Sequence, residues 1–285
     1  MRRRFKIEIR GKDYILGERT WIMGIVNVTP DSFSNGGLFF DKEKAVEQAL
    51  KLAAEGADII DIGGESTRPG SEPVPVEEEL RRVIPVIKEL RKRSQILISI
   101  DSYKSEVVKQ ALEEGADIVN DISAFRFDPE LLSIVAEKNV PYIIMHMKGT
   151  PKTMQINPFY KDLFGEIKSF LKNKIEEAVK NGVKRDKIIV DPGIGFGKTW
   201  EDNLKIIDGL SFLNELERPI LIGPSRKSFI GQVLETPPHE RLEGTIASSV
   251  IAIERGVHIL RVHDVAPIKR AVTMTEAILS STASS

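Results

Sequence analysis

Asp, Asn, Arg, Lys and His recur at one kind of place in this chain, the end of a short run of Ile and Val. Asn27 and Thr29 close the first run, and Asp61 followed by Glu65-Ser66-Thr67-Arg68 the second. Asp101-Ser102 close the third, Asn120-Asp121 the fourth, His146 the fifth and Asp191 the sixth. Ser225-Arg226-Lys227 follow the seventh, and Arg261, His263 and Asp264 come with the eighth. Two chemistries are on offer. Arg68, Arg226, Lys227, Arg261 and His263 gather positive charge suited to an anion such as a phosphorylated substrate. Asp101, Asn120 and Asp191 supply acceptors and an amide suited to a flat heterocycle with N–H donors and ring nitrogens, much as Asp, Asn and Glu read the edges of bases. A single polar residue at such a place often only caps a helix or solvates a loop, and Ser105 and Thr199 fit that plainer role. All eight run ends carry polar groups, and an unpaired buried polar side chain costs about 1–3 kcal/mol. A polar ligand would satisfy the cluster as a whole.

The elements that must hold these residues are eight apolar runs: 21–29, 58–63, 96–102, 117–121, 142–146, 187–192, 220–223 and 259–263. Near-continuous Ile/Val runs of this length suit parallel strands buried on both faces. Amphipathic stretches lie between them. Residues 41–55 place Ala45, Ala49, Leu52 and Ala53 on one face and stop at Gly56. Residues 76–93 carry Leu80, Val83, Ile84 and Ile87, and residues 164–180 carry Ile167, Phe170, Leu171, Ile175 and Val179 and stop near Gly182. Gly56, Gly115 and Gly256 each sit between a helix end and the next strand, where glycine can take the left-handed position after the helix. Eight strand–helix units favour a closed (β/α)8 barrel with chemistry at the C-terminal ends of its strands, with a doubly wound open sheet as the alternative. The residues before Trp21 alternate around Arg10-Gly11-Lys12-Asp13 and predict a β-hairpin that would cover the N-terminal mouth. No linker or low-complexity stretch divides the chain, so residues 1–285 are expected to form one domain, with residues 1–20 as the hairpin and 280–285 as a flexible tail.

Composition removes several function classes. The chain has 285 residues and a net charge of −1, so no basic excess points to nucleic acid. No apolar stretch approaches membrane-spanning length, and no apolar run of signal-peptide length follows the basic start. With no cysteine there is no disulfide, thiolate nucleophile or Cys-ligated metal, and the composition fits a reducing cytoplasm. The four histidines, His146, His239, His258 and His263, make no HExxH pattern, so a structural zinc site is not expected. His239 and His258 fit surface or packing roles. Gly197-Lys198-Thr199 looks like the end of a nucleotide phosphate loop, but Pro192 stands where that loop needs glycine, and Gly193, Gly195 and Gly197 miss the G-x-G-x-x-G spacing because Lys198 fills the last position.

The motifs, taken in order, resemble those of the dihydropteroate synthases. Met23-Gly24-Ile25-Val26-Asn27-Val28-Thr29-Pro30-Asp31-Ser32-Phe33-Ser34 with Gly36-Gly37 is similar to that family's first signature, and Asp61-Ile62-Gly63-Gly64-Glu65-Ser66-Thr67-Arg68-Pro69-Gly70 to its second. Ser99-Ile100-Asp101-Ser102, Asn120-Asp121, Met145-His146-Met147 with Gly149, Asp191 through Lys198, Ser225-Arg226-Lys227-Ser228 and Arg261-Val262-His263-Asp264-Val265 complete the set over roughly residues 21–275. The resemblance implies a (β/α)8 barrel, a homodimer, and Mg2+-dependent condensation of 6-hydroxymethyl-7,8-dihydropterin pyrophosphate with p-aminobenzoate. It implies that Asp101, Asn120, Asp191 and Lys227 hold the pterin, with Met145 and Phe196 against it. By the same resemblance Asn27 would contact Mg2+ and pyrophosphate, Arg68, Arg261 and His263 would bind pyrophosphate, and Phe33, Thr67, Pro69 and Ser228 would form the p-aminobenzoate pocket. Asp101, Lys227, Arg261, His263 and Arg68 would then carry the chemistry. Ser228 opens a helix, where backbone N–H groups favour a carboxylate. Pro224 and Trp200 depart from the family pattern.

These residues support an electrophilic substitution at the pterin methylene, with no nucleophile–base pair in sight. Arg68, Arg261, His263 and Mg2+ would meet negative charge on the leaving pyrophosphate, and Asp101 and Asp191 the positive charge spreading into the ring. Residues 30–40 and 66–75, rich in Gly, Pro and Ser, are expected to act as lids. Three rivals remain at this point: another pterin-binding barrel such as a methyltetrahydrofolate:corrinoid methyltransferase, which would not need Thr67-Arg68, Arg261 with His263 or the 225–228 segment; a non-catalytic paralogue, which would have lost some of them; and a plain structural barrel, which leaves the polar ring unexplained.

Overall fold

The structure, a computed structural model, describes residues 2–29, 37–67 and 70–281, and of residues 37–41 the backbone only. The chain opens with β1 (Phe5–Ile9) and β2 (Lys12–Leu16), paired antiparallel in register from Phe5 opposite Leu16 to Ile9 opposite Lys12. Eight parallel strands follow: β3 (Trp21–Asn27), β4 (Ile59–Gly63), β5 (Leu97–Asp101), β6 (Ile118–Asp121), β7 (Tyr142–Met145), β8 (Ile188–Asp191), β9 (Leu221–Ile222) and β10 (Ile259–Val262). Each of β3 to β8 pairs with the next, and β10 lies between β9 and β3. A parallel bridge from Val190 to Ile220 joins β8 to the residue before β9 and closes the circle. The closed barrel is therefore the architecture, and the open doubly wound sheet is not.

Period-two alternation along each strand sorts residues between two cores. Trp21 and Met23 of β3, then Ile59, Leu97, Ile118, Ile143, Ile189, Leu221 and Ile259, pack inside the barrel with Ile7, Ile9 and Leu16 of the hairpin. The hairpin thus plugs the N-terminal end, as its alternation predicts. The intervening residues, among them Ile22, Ile60, Ile98, Val119, Ile144, Val190, Ile222 and Leu260, face outward into a second core shared with the helices.

Those helices are α1 (Gly37–Ala54), α2 (Val76–Arg93), α3 (Ser105–Glu113), α4 (Leu131–Lys138), α5 (Leu163–Lys180), α6 (Trp200–Asp208), α7 (Ser228–Leu234), α8 (Leu242–Glu254) and α9 (Val265–Ser281). Helix α2 has the expected bounds, whereas α1 begins at Gly37, so the first expected lid is shorter than 30–40 and its remainder lies outside the described residues. Thr199 is the cap its position suggests: its hydroxyl accepts from Asp202 N and its own N–H donates to Asp202 Oδ2, both at 3.1 Å. Ser105 is not a cap. It is the first residue of α3, and its N–H donates at 2.7 Å to Asp128 Oδ2, a carboxylate from the next βα connection. Gly56, Gly115 and Gly256 take φ of 104°, 112° and 94°, the left-handed turns that return each helix to its strand. No described helix is long and apolar enough to cross a membrane.

Candidate functional site

The alternation that seals the N-terminal half of the barrel also builds the site. Two residues beyond the apolar layer, the same inward face presents Asp61 on β4, Ser99 on β5, Asn120 on β6, Met145 on β7, Asp191 on β8 and Arg261 on β10. One further step brings Asn27, Gly63, Asp101 and His263. A charged layer therefore rests directly on a hydrocarbon floor.

Arg261 organises the layer. Its Nε donates to Asp61 Oδ2 at 2.6 Å and its Nη2 to Asp101 Oδ2 at 2.5 Å, while Asn120 Nδ2 donates to the same Asp61 oxygen at 3.1 Å. Burial alone would pull the guanidinium's pKa down, but the Asp61 and Asp101 carboxylates more than offset this and hold it above its usual value. Burial pushes the Asp101 carboxyl up to about 7 despite Arg261 beside it. Asp61 Oδ1 and Ser99 Oγ are buried with no hydrogen-bond partner, so the floor keeps unused polar capacity.

Asp191 sits across the barrel. Its Oδ1 accepts from Gly193 N at 2.6 Å, and burial raises its carboxyl to about 6, with Lys227 the chief cation opposing the rise. Lys227 caps the N-terminus of α7 and lays its ammonium 4.2 Å from the centre of the Phe196 ring. Burial, then repulsion from Arg261, lowers this lysine to about 8. The turn that aims it inward is unusual: Arg226 has a φ of 57° and is held by a forked pair to Asp264, Nε to Oδ2 at 3.0 Å and Nη2 to Oδ1 at 2.6 Å. Pro224 lends rigidity to this turn, its carbonyl accepting from Lys227 N at 3.3 Å. Met145 and Phe196 belong to one apolar cluster with Ile122, Met147 and Met154, against which Tyr103 packs. The structure thus brings Asp101, Asn120, Asp191, Lys227, Met145, Phe196 and Arg261 to one end of one barrel.

His263 joins them from the loop after β10. Ser225 Oγ lies 3.0 Å from its Nδ1 and accepts from its backbone N–H at 3.2 Å. Burial first, then Arg261 and Arg226, lowers the imidazole to about 3, so His263 is neutral near neutral pH. Asn27 ends β3 half-buried, and its side chain makes no hydrogen bond among the described residues. Ser228 is the exposed first residue of α7, and Thr67 is half-buried two residues past Glu65. Phe33, Arg68 and Pro69 lie outside the described residues. A cavity of about 380 Å3 opens between α1 and the start of α9, with Arg226, His263 and Asp264 on its wall.

Four contributors to the site have no role assigned in the sequence reading, although Asp61 is named there among the run-end polar groups. Asp61 was legible, because the two-residue step from Ile59 turns it inward. Met154 comes from an irregular loop and carries no periodic signal. Lys104 ties down the connection after β4: its ammonium donates to Glu65 Oε2 at 2.7 Å, to the Val74 carbonyl at 2.6 Å and to Glu79. Lys198, set aside with a loop motif it only half matches, is buried against His146. Among the described residues no three His, Cys, Asp or Glu side chains gather as metal ligands. Mg2+ would therefore have to keep mostly water and phosphate oxygens and take one or two protein oxygens, for which the Asn27 amide oxygen, without a hydrogen-bond partner among the described residues, would serve.

Comparison with known proteins agrees with this geometry. Residues 23–263 match the pterin binding enzyme family. A dihydropteroate synthase from Synechocystis sp. is 49% identical over 263 residues, 92% of this chain and 91% of that one. Among solved structures, a Yersinia pestis dihydropteroate synthase with a sulfonamide drug complex superposes with a TM-score of 0.91 at 41% identity, covering 97% of this chain and 100% of that one. A Xanthomonas albilineans dihydropteroate synthase with 4-aminobenzoic acid gives 0.91 at 44% identity, covering 97% and 99%.

Proposed function

This chain belongs to the pterin-binding enzyme family, and within it we infer the dihydropteroate synthase reaction, condensation of 6-hydroxymethyl-7,8-dihydropterin pyrophosphate with p-aminobenzoate to give 7,8-dihydropteroate and pyrophosphate. The observation that carries the reading is the buried layer in which Arg261 spans Asp61 and Asp101 while Asp191 and Lys227 face it. A pterin ring has N–H donors on one edge and ring nitrogens and a carbonyl on another. Asp101 and Asp191 would accept from the first, and Asn120 and Lys227 would serve the second. Met145 and Phe196 would bound the ring's faces. The orphaned Asp61 Oδ1 and Ser99 Oγ on the floor support a polar rather than a hydrocarbon occupant.

The bond changes balance without a strong base. The amine lone pair of p-aminobenzoate forms the new C–N bond at the pterin methylene, the C–O bond electrons leave with pyrophosphate, and the proton shed by nitrogen passes to water. His263 and Arg261 Nη1, which makes no hydrogen bond among the described residues, would hold the leaving phosphates together with Arg68. Bound Mg2+ would neutralise charge on the pyrophosphate, with Asn27 as its protein ligand. Asp101 and Asp191 would favour positive charge developing on the ring side. Thr67, Pro69, Phe33 and the exposed Ser228 would take the p-aminobenzoate.

We also propose that two copies assemble through the outer helices. Val233 and Leu234 on α7, Ile251 on α8 and Met274 and Ile278 on α9 are exposed apolar side chains on neighbouring helices, a surface that a second copy would cover. A cytoplasmic site of action suits a cysteine-free chain and water-soluble substrates. The test of the activity is turnover of purified protein with dihydropterin pyrophosphate and labelled p-aminobenzoate, with and without Mg2+ and a sulfonamide. Labelled dihydropteroate that requires Mg2+ and is suppressed by the sulfonamide is expected. Pterin binding without product would overturn the reading in favour of a non-catalytic relative.

A further inference from the structure

Lys198 is 2% exposed and forms no salt bridge among the described residues. Its ammonium meets only neutral acceptors: the Phe196 carbonyl at 2.9 Å, His146 Nδ1 at 3.0 Å and the His146 carbonyl at 3.4 Å. His146 is neutral, because burial and then Lys198, Arg126 and Lys148 push its imidazole down to about 2. Burial lowers this lysine to about 7, and below that pH it is a buried cation with no carboxylate within ion-pair distance among the described residues, so its retention calls for a function.

Its position supplies one. His146 N–H donates to the Asp191 carbonyl at 2.9 Å, so the same residue that receives Lys198 is stitched to the backbone of the pocket aspartate. The loop after β8 lies hard against the end of β7, where a Cβ on Gly193 would strike the His146 carbonyl and one on Gly197 the Lys148 carbonyl. Lys198 crosses this junction and grips the carbonyl of Phe196, whose ring faces Lys227. We propose that Lys198 is a positioning residue for the pterin: it pins the end of β7 to the loop after β8, fixes Phe196 as a wall for the ring, and sets its amine behind the strand end that carries Asp191. The proposal rests on the pterin reading above.

The charges around Asp191 set the expected pH behaviour. Burial favours its neutral form; Lys227, Lys198 and Arg261 favour its carboxylate. Around Lys198, burial, Lys227 and Lys148 favour loss of the proton, and Asp191 and Asp202 its retention. Deleting the Lys198 charge lets Asp191 keep its proton to higher pH, which removes an acceptor over a wider acidic range. A merely structural prop would weaken binding by the same factor at every pH.

The experiment is calorimetric titration of the full chain with 6-hydroxymethyl-7,8-dihydropterin across about pH 5 to about pH 8. Lys198→Met is expected to bind about tenfold more weakly at neutral pH, with the acid midpoint of binding moved upward. Lys198→Arg, which keeps the charge, should hold the wild-type midpoint. Wild-type affinity in Lys198→Met, or a loss of equal factor at all pH values, overturns the proposal while leaving the pterin reading intact. Should Lys198→Met not fold, a moved midpoint in Lys198→Arg overturns it instead. Unaltered protein that binds no pterin overturns the pterin reading, and this proposal with it.

Discussion

Replacing Asp191 by Asn separates what this site does for folding from what it does for function. Burial raises the Asp191 carboxyl from its usual 3.8 to about 6 even with Lys227, Lys198 and Arg261 nearby. The folded state therefore holds this proton more tightly than the unfolded chain does. Its contribution to stability is present below about pH 4 and is lost as pH rises through about 6. At about 1.4 kcal/mol per tenfold change in proton affinity, the ionised carboxylate costs the fold about 3 kcal/mol at pH 8 and roughly half of that at pH 5. Asn removes this cost and brings a separate one, a buried NH2 in place of an oxygen, worth about 1–2 kcal/mol and independent of pH. The variant's stability relative to wild type should therefore shift in its favour by about 1.5 kcal/mol between pH 5 and pH 8. Urea denaturation at the two pH values, without ligand, reads this difference directly. A difference that does not move with pH, or moves the other way, would show that the surrounding cations outweigh burial and that Asp191 is an ordinary carboxylate. In the same variant pterin binding should fall by at least about tenfold, because a charge-assisted acceptor has gone.

Three further changes probe the same frame. Asp101→Asn should leave the thermal midpoint near wild type or above it, since it too removes a costly buried charge raised to about 7, while turnover drops by orders of magnitude; unimpaired turnover would remove Asp101 from the mechanism. Lys104→Met should destabilise the protein by about 3–5 kcal/mol, because it strands Glu65 and Glu79 as buried carboxylates. Adding Glu79→Gln should return part of that, since burial already drives Glu79 toward its neutral form; no recovery in denaturant midpoint would count against the shared clamp. Gly193→Ala, at a φ of 72° and against the His146 carbonyl, should cost about 1–3 kcal/mol and depress pterin affinity, and a silent substitution would mean that the two loops separate freely.

Much of this was legible in the sequence because it follows from alternation. Ile59, Leu97, Ile118, Ile143, Ile189 and Ile259 mark the inward face, and stepping two residues along reaches Asp61, Ser99, Asn120, Met145, Asp191 and Arg261. Strand bounds were blurred where a polar residue ends a run: β3 stops at Asn27 rather than Thr29, and β9 is only Leu221–Ile222 because Gly223 and Pro224 follow. The partner of each polar group was not legible. Arg261 reads as a phosphate ligand from its place in the chain, yet here it bridges two aspartates from β4 and β5, and only closure of the barrel brings those strands opposite β10. Ser105 reads as a cap because it is a serine before a helical pattern, but a carboxylate 23 residues later in sequence takes the job. Lys198 acquires its role from a fold-back onto β7 that needs Gly193 and Gly197, and no spacing rule announces such an approach.

The charge arrangement suggests why so costly a cluster is kept. Asp61, Asp101 and Asp191 bring three carboxyls to one end of the barrel, Arg261 and Lys227 stand among them and Lys198 lies behind Phe196, so this end of the barrel is close to electrically balanced. Burial brings its titrations toward neutrality: Asp101 lies at about 7, Asp191 at about 6, Lys198 at about 7 and Lys227 at about 8. Such a pocket favours neither a free anion nor a free cation. A substrate that separates charge as it reacts fits it better: on the proposed reading, pyrophosphate would turn toward Arg261 and His263 while the pterin methylene would turn cationic above Asp101 and Asp191. Groups poised near neutrality respond strongly to that separation, because each developing charge shifts the proton and hydrogen-bond balance of the residue facing it. The apolar floor sharpens the response, since Ile59, Leu97, Ile118 and Ile143 and the hairpin behind them keep water from screening the layer. On this reasoning the hairpin contributes to catalysis at a distance. Opening it, by replacing Leu16 with Ala, should admit water beneath Asp61 and lower turnover by more than the loss of stability accounts for. Wild-type turnover in a folded Leu16→Ala protein would refute that link between floor and chemistry.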